Sequence, residues 1–88
     1  MKIKDGFMLQ TVAGNTVVVP VGEKSISFRG MLTLNEVGAF VWKELQSENT
    51  CENIAKKITE EYSVDFETAL KDVNVFVEKL REKDIIDG

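Results

Sequence analysis

The sequence predicts an α+β domain in which a three-stranded antiparallel sheet precedes a three-helix unit. Two β-rich runs near the N-terminus flank a Gly-Asn pair, and a third run alternates between apolar and polar residues. The stretch from Asp65 to Lys83 repeats apolar residues at the spacing of one helix face. A chain of 88 residues has room for one modest core, so we expect a single domain over residues 1–88.

The first two runs, Phe7 to Ala13 and Thr16 to Val21, are expected to form a hairpin with Gly14-Asn15 as the turn. One face of this hairpin would carry mainly valines: Met8, Val12, Val17, Val19 and Val21. The other face would carry Phe7, Leu9, Ala13, Val18 and Pro20. Both faces are apolar, so the pattern leaves open which one meets the helices. Pro20 lacks an N–H and should lie where the ladder ends or bulges.

The third run covers Ile26 to Leu34 and has the period of a half-buried strand. Its inward positions are predicted at Ile26, Phe28, Leu32 and Leu34. In an up-and-down arrangement this strand lies at an edge of the sheet, where N–H and C=O groups stay open to another chain.

Three helices follow, and each has a recognisable start. Either Asn35 or a Thr33–Glu36 capping box begins the first, Thr50 the second and Asp65 the third. Two short helices joined by a tight polar loop, then a longer one, indicate a winged-helix-like unit. We expect one core built from Phe40, Trp42, Leu45, Ile54, Ile58, Val73, Phe76, Val77 and Leu80.

Composition excludes several functions. The chain has no histidine and one cysteine, which rules out histidine-based catalysis and makes an internal zinc or iron–sulfur site improbable. Phosphate-binding glycine loops are absent, so no cofactor is expected. A net charge of −4 disfavours nucleic acid as a partner. The sequence also lacks a membrane span and a signal peptide, and the unpaired Cys51 suits a reducing cytosol, so we expect a cytoplasmic protein.

Distinctive residues follow one another at characteristic spacing from the end of the third run onward: Leu34-Asn35, Trp42, Leu45, Thr50, Ile54, Ile58, Tyr62-Ser63-Val64, Asp72-Val73, Phe76 and Leu80. This pattern resembles the PqqD family. The resemblance covers nearly the whole chain. Gly38 departs from the pattern where a better helix former is expected, and Asp84 stands where a C-terminal glycine cap is common.

The resemblance, to a family named for its member in pyrroloquinoline quinone biosynthesis, implies a RiPP recognition element. Such a domain is a peptide chaperone that binds the leader segment of a ribosomally made precursor peptide. It presents the precursor to a modifying enzyme, often a radical S-adenosylmethionine protein. The chain itself would not be an enzyme. The leader would add as a strand beside the third strand, in the groove against the third helix.

The expected peptide-binding residues fall on these two elements. The edge strand would supply backbone partners at Ser27, Phe28, Arg29, Met31 and Leu32. One flank of the third helix would supply the opposite wall, with Asp72, Val75, Phe76, Lys79 and Lys83. On this flank Val75 and Phe76 would give apolar contact, while the lysines would meet carboxylates of the leader.

Two other functions are compatible with the same topology. A winged-helix DNA-binding regulator would need a basic recognition helix, whereas the second helix balances Lys56 and Lys57 against Glu52, Glu60 and Glu61. An interaction subunit outside peptide modification is the other alternative. An open edge strand could also pair with a second copy, so a homodimer is possible.

Overall fold

A computed structural model describes residues 1–22 and 32–87 of the chain. Its elements in order are β1 (Lys2–Ile3), β2 (Phe7–Val12), β3 (Asn15–Pro20), β4 (Leu32–Leu34), α1 (Glu36–Glu44), α2 (Cys51–Glu61), α3 (Phe66–Glu82) and β5 (Ile86–Asp87). Strands β2, β3 and β4 form an antiparallel sheet in that spatial order. The predicted α+β class, a three-stranded sheet followed by three helices, is confirmed. The small β1–β5 pair was not predicted from the sequence.

The hairpin turn lies one residue earlier than predicted. Val12 pairs with Asn15, so the two loop residues are Ala13 and Gly14, and both have positive φ, at 52° and 81°. Positive φ at both positions gives the twist that a two-residue hairpin requires. The prediction chose Gly14-Asn15 because both residues tolerate that conformation. In the structure Gly14 stays in the turn, but Ala13 takes the place predicted for Asn15. Pro20 is the last residue of β3, as expected.

The predicted division of side chains between the two faces of the hairpin is unchanged by this shift of the turn. Moving the turn by one residue shifts each pairing by two, and side chains alternate with a period of two. The structure also decides which face meets the helices. Val18 is fully buried in the core, and Phe7 and Leu9 pack against it. On the opposite face Met8 and Val12 are exposed.

The third predicted strand is described only at its C-terminal end. Leu32 and Leu34 face the core side and Thr33 is exposed, in agreement with the predicted alternation. The predicted backbone partners Ser27, Phe28, Arg29 and Met31 lie outside the described residues.

All three helices begin at predicted cap residues. The side chain of Asn35 accepts a hydrogen bond from the Gly38 N–H at 2.7 Å, which selects Asn35 over Thr33 as the cap of α1. Thr50 accepts from Asn53 N–H at 3.2 Å at the start of α2. Asp65 accepts from the Thr68 N–H at 3.1 Å at the start of α3. Each cap satisfies an N–H group that the helix itself leaves unpaired.

The core contains seven of the nine predicted residues, and the other two pack against it. Trp42 is only 3% exposed, and seven members of the set are buried: Trp42, Leu45, Ile54, Ile58, Val73, Val77 and Leu80. The other two, Phe40 and Phe76, are half-buried and pack against this core. None of the helices in the described ranges has the length and apolar character that a bilayer span requires.

The C-terminal end of α3 uses an unusual cap residue. Asp84 adopts positive φ, at 59°, where glycine is common. Its N–H donates to Arg81 C=O, and the Ile85 N–H donates to Leu80 C=O at 2.9 Å, which is the Schellman hydrogen-bond pattern. The turn directs Ile85 and Ile86 back into the core, where both are buried, and lets β5 pair with β1.

Candidate functional site

A groove runs between β4, the N-terminal half of α1 and one flank of α3. Its wider part is a cavity of about 270 Å³ lined by Asn35, Val37, Gly38, Val41, Asp72, Val75, Phe76 and Lys79. Its narrower part, about 90 Å³, is lined by Leu32, Thr33, Leu34, Asn35, Gly38, Phe76 and Lys79. The two parts share Asn35, Gly38, Phe76 and Lys79, so they form one continuous depression. We call it the β4–α3 groove.

The free edge of β4 opens into this groove. Hydrogen bonding between Gly6 and Val21 fixes which residues of the β2–β3 ladder form hydrogen-bonded pairs. By alternation, Thr16 and Val18 direct their N–H and C=O groups to β4, where they meet Leu34 and Leu32. The intervening residue, Thr33, therefore directs its N–H and C=O to the open side. Within the described ranges β4 has a strand neighbour only at β3.

The floor of the groove is set by Gly38 and Phe76. Gly38 is buried in α1, and a Cβ at this position would lie 3.4 Å from Phe76 Cε1 and 3.3 Å from Asn35 Oδ1. Gly38 therefore lies near contact distance of the Phe76 ring, and both residues line the groove. Phe76 is half-buried, with one side on the core and the other on the groove.

Two opposite charges border the apolar floor. Asp72 and Lys79 are both exposed on α3 and line the groove, with Val75 between them, 51% exposed. In the described part of the chain, neither charge takes part in an ion pair. An exposed valine beside Phe76 gives this flank apolar area that a ligand side chain could cover.

The structure brings together five of the ten predicted site residues. Leu32, Asp72, Val75, Phe76 and Lys79 all line the β4–α3 groove. Lys83, the C-cap residue of α3, does not line it. The remaining four are the residues outside the described ranges. Their role in binding, like that of the lining residues, stays a prediction.

Sequence reasoning misjudged the role of Leu32. It also left six lining residues out of the site: Thr33, Leu34, Asn35, Val37, Gly38 and Val41. The hydrogen-bond pattern directs the backbone groups of Leu32 to β3, so its side chain, not its backbone, meets the groove. Thr33 supplies the open backbone groups instead, as the register between β3 and β4 dictates. Asn35 was recognised only as a cap and Gly38 only as a poor helix former.

The sequence matches the family described as "Coenzyme PQQ synthesis protein D (PqqD)" over residues 15–86. This match extends from the start of β3 to β5 and includes every groove residue named above. The chain belongs to the PqqD family. No curated protein matches the chain significantly.

Two solved structures share the fold of this PqqD-family chain. "TbiB1 in Complex with the TbiA(beta) Leader Peptide" is 27% identical, with a TM-score of 0.77, over 100% of this chain and 96% of that chain. "Lasso peptide synthetase B1 complexed with the leader peptide" is 19% identical, with a TM-score of 0.73, over 96% of this chain and 93% of that chain. The second likeness is one of fold alone. Both of those proteins are bound to leader peptides.

Two potential nucleophiles of this PqqD-family member, Cys51 and Tyr62, have raised pKa values. Burial raises the pKa of the Cys51 thiol, and Glu52 adds to the effect, although Arg81 partly offsets it. Burial, with Glu36 and Glu61 nearby, also raises the pKa of the Tyr62 phenol, which packs edge-on against Phe40 at 5.9 Å. Both groups are thus held in their neutral, weakly nucleophilic forms. Across the described ranges, no cluster of three acidic or cysteine residues could hold a metal ion.

Proposed function

We propose that the chain binds the leader segment of a ribosomally synthesised precursor peptide by strand addition in the β4–α3 groove. The observation that carries the proposal is the open edge of β4 at Thr33, which faces a groove with an apolar floor. Strand addition needs free backbone groups beside pockets for alternate side chains, and this groove offers both. Support comes from the similar fold of TbiB1, which is bound to a leader peptide.

The bound leader would hold its precursor for a modifying enzyme, for which a radical S-adenosylmethionine protein is our candidate. The chain would contribute affinity for the substrate rather than chemistry. The neutral Cys51 and Tyr62 support this division of roles, since neither offers an activated nucleophile. Purified chain should therefore leave the precursor unmodified, and adding it to the partner enzyme should chiefly lower the KM for the precursor.

The direct test is a titration with the leader segment of a ribosomally synthesised precursor peptide, chosen from short open reading frames that flank this chain's gene. We expect Val75→Asp to weaken binding about tenfold, because a carboxylate would replace apolar contact at the groove. Lys79→Glu should weaken binding of an acidic leader by a smaller factor, since the charge is exposed.

The matched control is Arg81→Glu, which reverses a charge on the same helix outside the groove. Arg81 forms an ion pair with Glu78 on the helix surface. If Arg81→Glu weakens binding and Val75→Asp does not, the peptide lies on the other flank of α3. If the leader does not bind the unaltered chain, the proposed function is wrong.

Edge strands of the sheet could also pair with a second copy of the chain. The strand β2 forms the second edge of the described sheet, opposite β4. A homodimer through an edge strand stays a prediction, and its test is the molar mass in solution at several concentrations.

A further inference from the structure

We propose that the β4–α3 groove selects peptides that carry a basic residue three or four positions before an acidic residue, with an apolar side chain between them. The basic residue would meet Asp72 and the acidic residue would meet Lys79. This inference rests on the proposed function and specifies the class of peptide that the groove accepts.

The spacing follows from helix and strand geometry. Asp72 and Lys79 are seven positions apart, which on an α-helix places them on the same side, about 10.5 Å apart along the axis. An extended peptide advances about 3.3 Å per residue, so the same distance corresponds to three or four residues. The apolar side chain between the two charges would lie over Phe76 and Val75, above the space left by Gly38.

Both charges are available to a ligand. Some charged residues on the described surface pair with each other, as in Lys57 with Glu44 and Lys4 with Asp84. Asp72 and Lys79 take part in none of these pairs, although they border the same cavity. Opposite charges at two ends of one groove are complementary to a peptide with the reverse order of charges.

The order of the two charges follows from the direction of the strand. Lys79 lines the narrow part of the groove beside Leu32 and Leu34, whereas Asp72 lines only the wider part, beside Val37 and Val41. Moving from Lys79 to Asp72 therefore follows the direction of β4 into α1. The existing sheet is antiparallel, and an antiparallel neighbour pairs slightly more stably than a parallel one. A peptide antiparallel to β4 would reach Asp72 first and Lys79 later.

The test is selection of randomised 12-residue peptides, displayed on their messenger RNAs, against the 88-residue chain at low salt. A double charge swap, Asp72→Lys with Lys79→Glu, keeps the net charge and should reverse the enriched order to acidic before basic. The matched control is Lys56→Glu with Glu60→Lys, which exchanges two exposed charges on α2 outside the groove. It should enrich the same peptides as the unaltered chain.

Measured on single selected peptides, reversing either charge should weaken binding about two- to fivefold, as expected for exposed ion pairs. Enriched peptides without paired charges, or an order that the double swap leaves unchanged, would overturn the inference but leave leader binding intact. Enrichment of acidic before basic by the unaltered chain would mean that the peptide runs parallel to β4, contrary to the proposal. If the selection enriches no peptide at all, the result would contradict the proposed function itself, and with it this inference.

Discussion

Gly38 of α1 faces the ring of Phe76 of α3 so closely that a methyl group on Gly38 would lie 3.4 Å from Phe76 Cε1. The sequence alone shows Gly38 as a defect in a helix, since glycine disfavours helix by about 1 kcal/mol relative to alanine. In the structure this glycine lies against the Phe76 ring where α1 and α3 meet at the groove.

Gly38→Ala tests this relationship. We expect the gain in helix propensity to offset the crowding at Phe76, so the free energy of unfolding should change by less than about 1 kcal/mol in a urea melt. Phe76 is only half-buried, so its ring can move by a few tenths of an ångström toward the groove. Leader affinity should fall because the ring then occupies peptide space. A large loss of stability would mean that the ring is held rigidly.

Thr33→Pro tests the open edge of β4. Proline removes the N–H that Thr33 directs away from β3, while the hydrogen bonds of Leu32 and Leu34 with β3 remain. Leader binding should weaken about fivefold to tenfold, the effect of one lost hydrogen bond, with little change in the melting temperature. Thr33→Ser keeps the N–H and should bind normally. Equal affinity for the serine and proline variants would exclude pairing at this residue.

Trp42→Ala tests the core. The side chain is 3% exposed, and its removal should lower the free energy of unfolding by about 3–5 kcal/mol, measured by denaturant titration. Val75→Ala is the control on the surface, since Val75 is 51% exposed, and should change stability by less than about 0.5 kcal/mol. Similar midpoints for the two variants would contradict the observed burial of Trp42.

The cap of α3 makes part of the stability dependent on pH. The Thr68 hydroxyl and N–H donate to the Asp65 carboxylate and hold its pKa below the ordinary value of 3.8. A lowered folded-state pKa stabilises the fold above the ordinary value, and this contribution is lost as the pH falls through the lowered pKa. The melting temperature of the unaltered chain should therefore fall more steeply below pH 3.8 than that of Asp65→Asn. Parallel profiles would show that the cap does not titrate as described.

The helices and their starts could be read from the sequence because the forces that define them are local. Apolar spacing identified α3 to within its caps, and the side chains at Asn35, Thr50 and Asp65 bond N–H groups only three residues away. The hairpin was also local, but its turn was placed one residue late. Ala13 adopts positive φ there, a conformation that residue type alone did not indicate.

The C-terminal turn after α3 required the tertiary structure. Asp84 adopts the left-handed conformation usually left to glycine, with Ile85 and Ile86 buried immediately after it. The buried isoleucines and the β1–β5 pairing compensate for the local cost of a non-glycine residue in that conformation. Such compensation comes from residues at the other end of the chain, which no local pattern contains.

The sequence by itself determined the order of the three sheet strands and the three helices, the caps at Thr50 and Asp65, and the core residues. Each of these follows from residue types and spacing within one element or at its start. Only the tertiary structure decided that Val18, and not Val17, belongs to the core cluster formed with the helices. It also decided that Thr33 holds the open backbone groups and that Gly38 lies against Phe76. These features depend on the register between strands and on the distance between two helices, and both are set by packing between segments far apart in the chain.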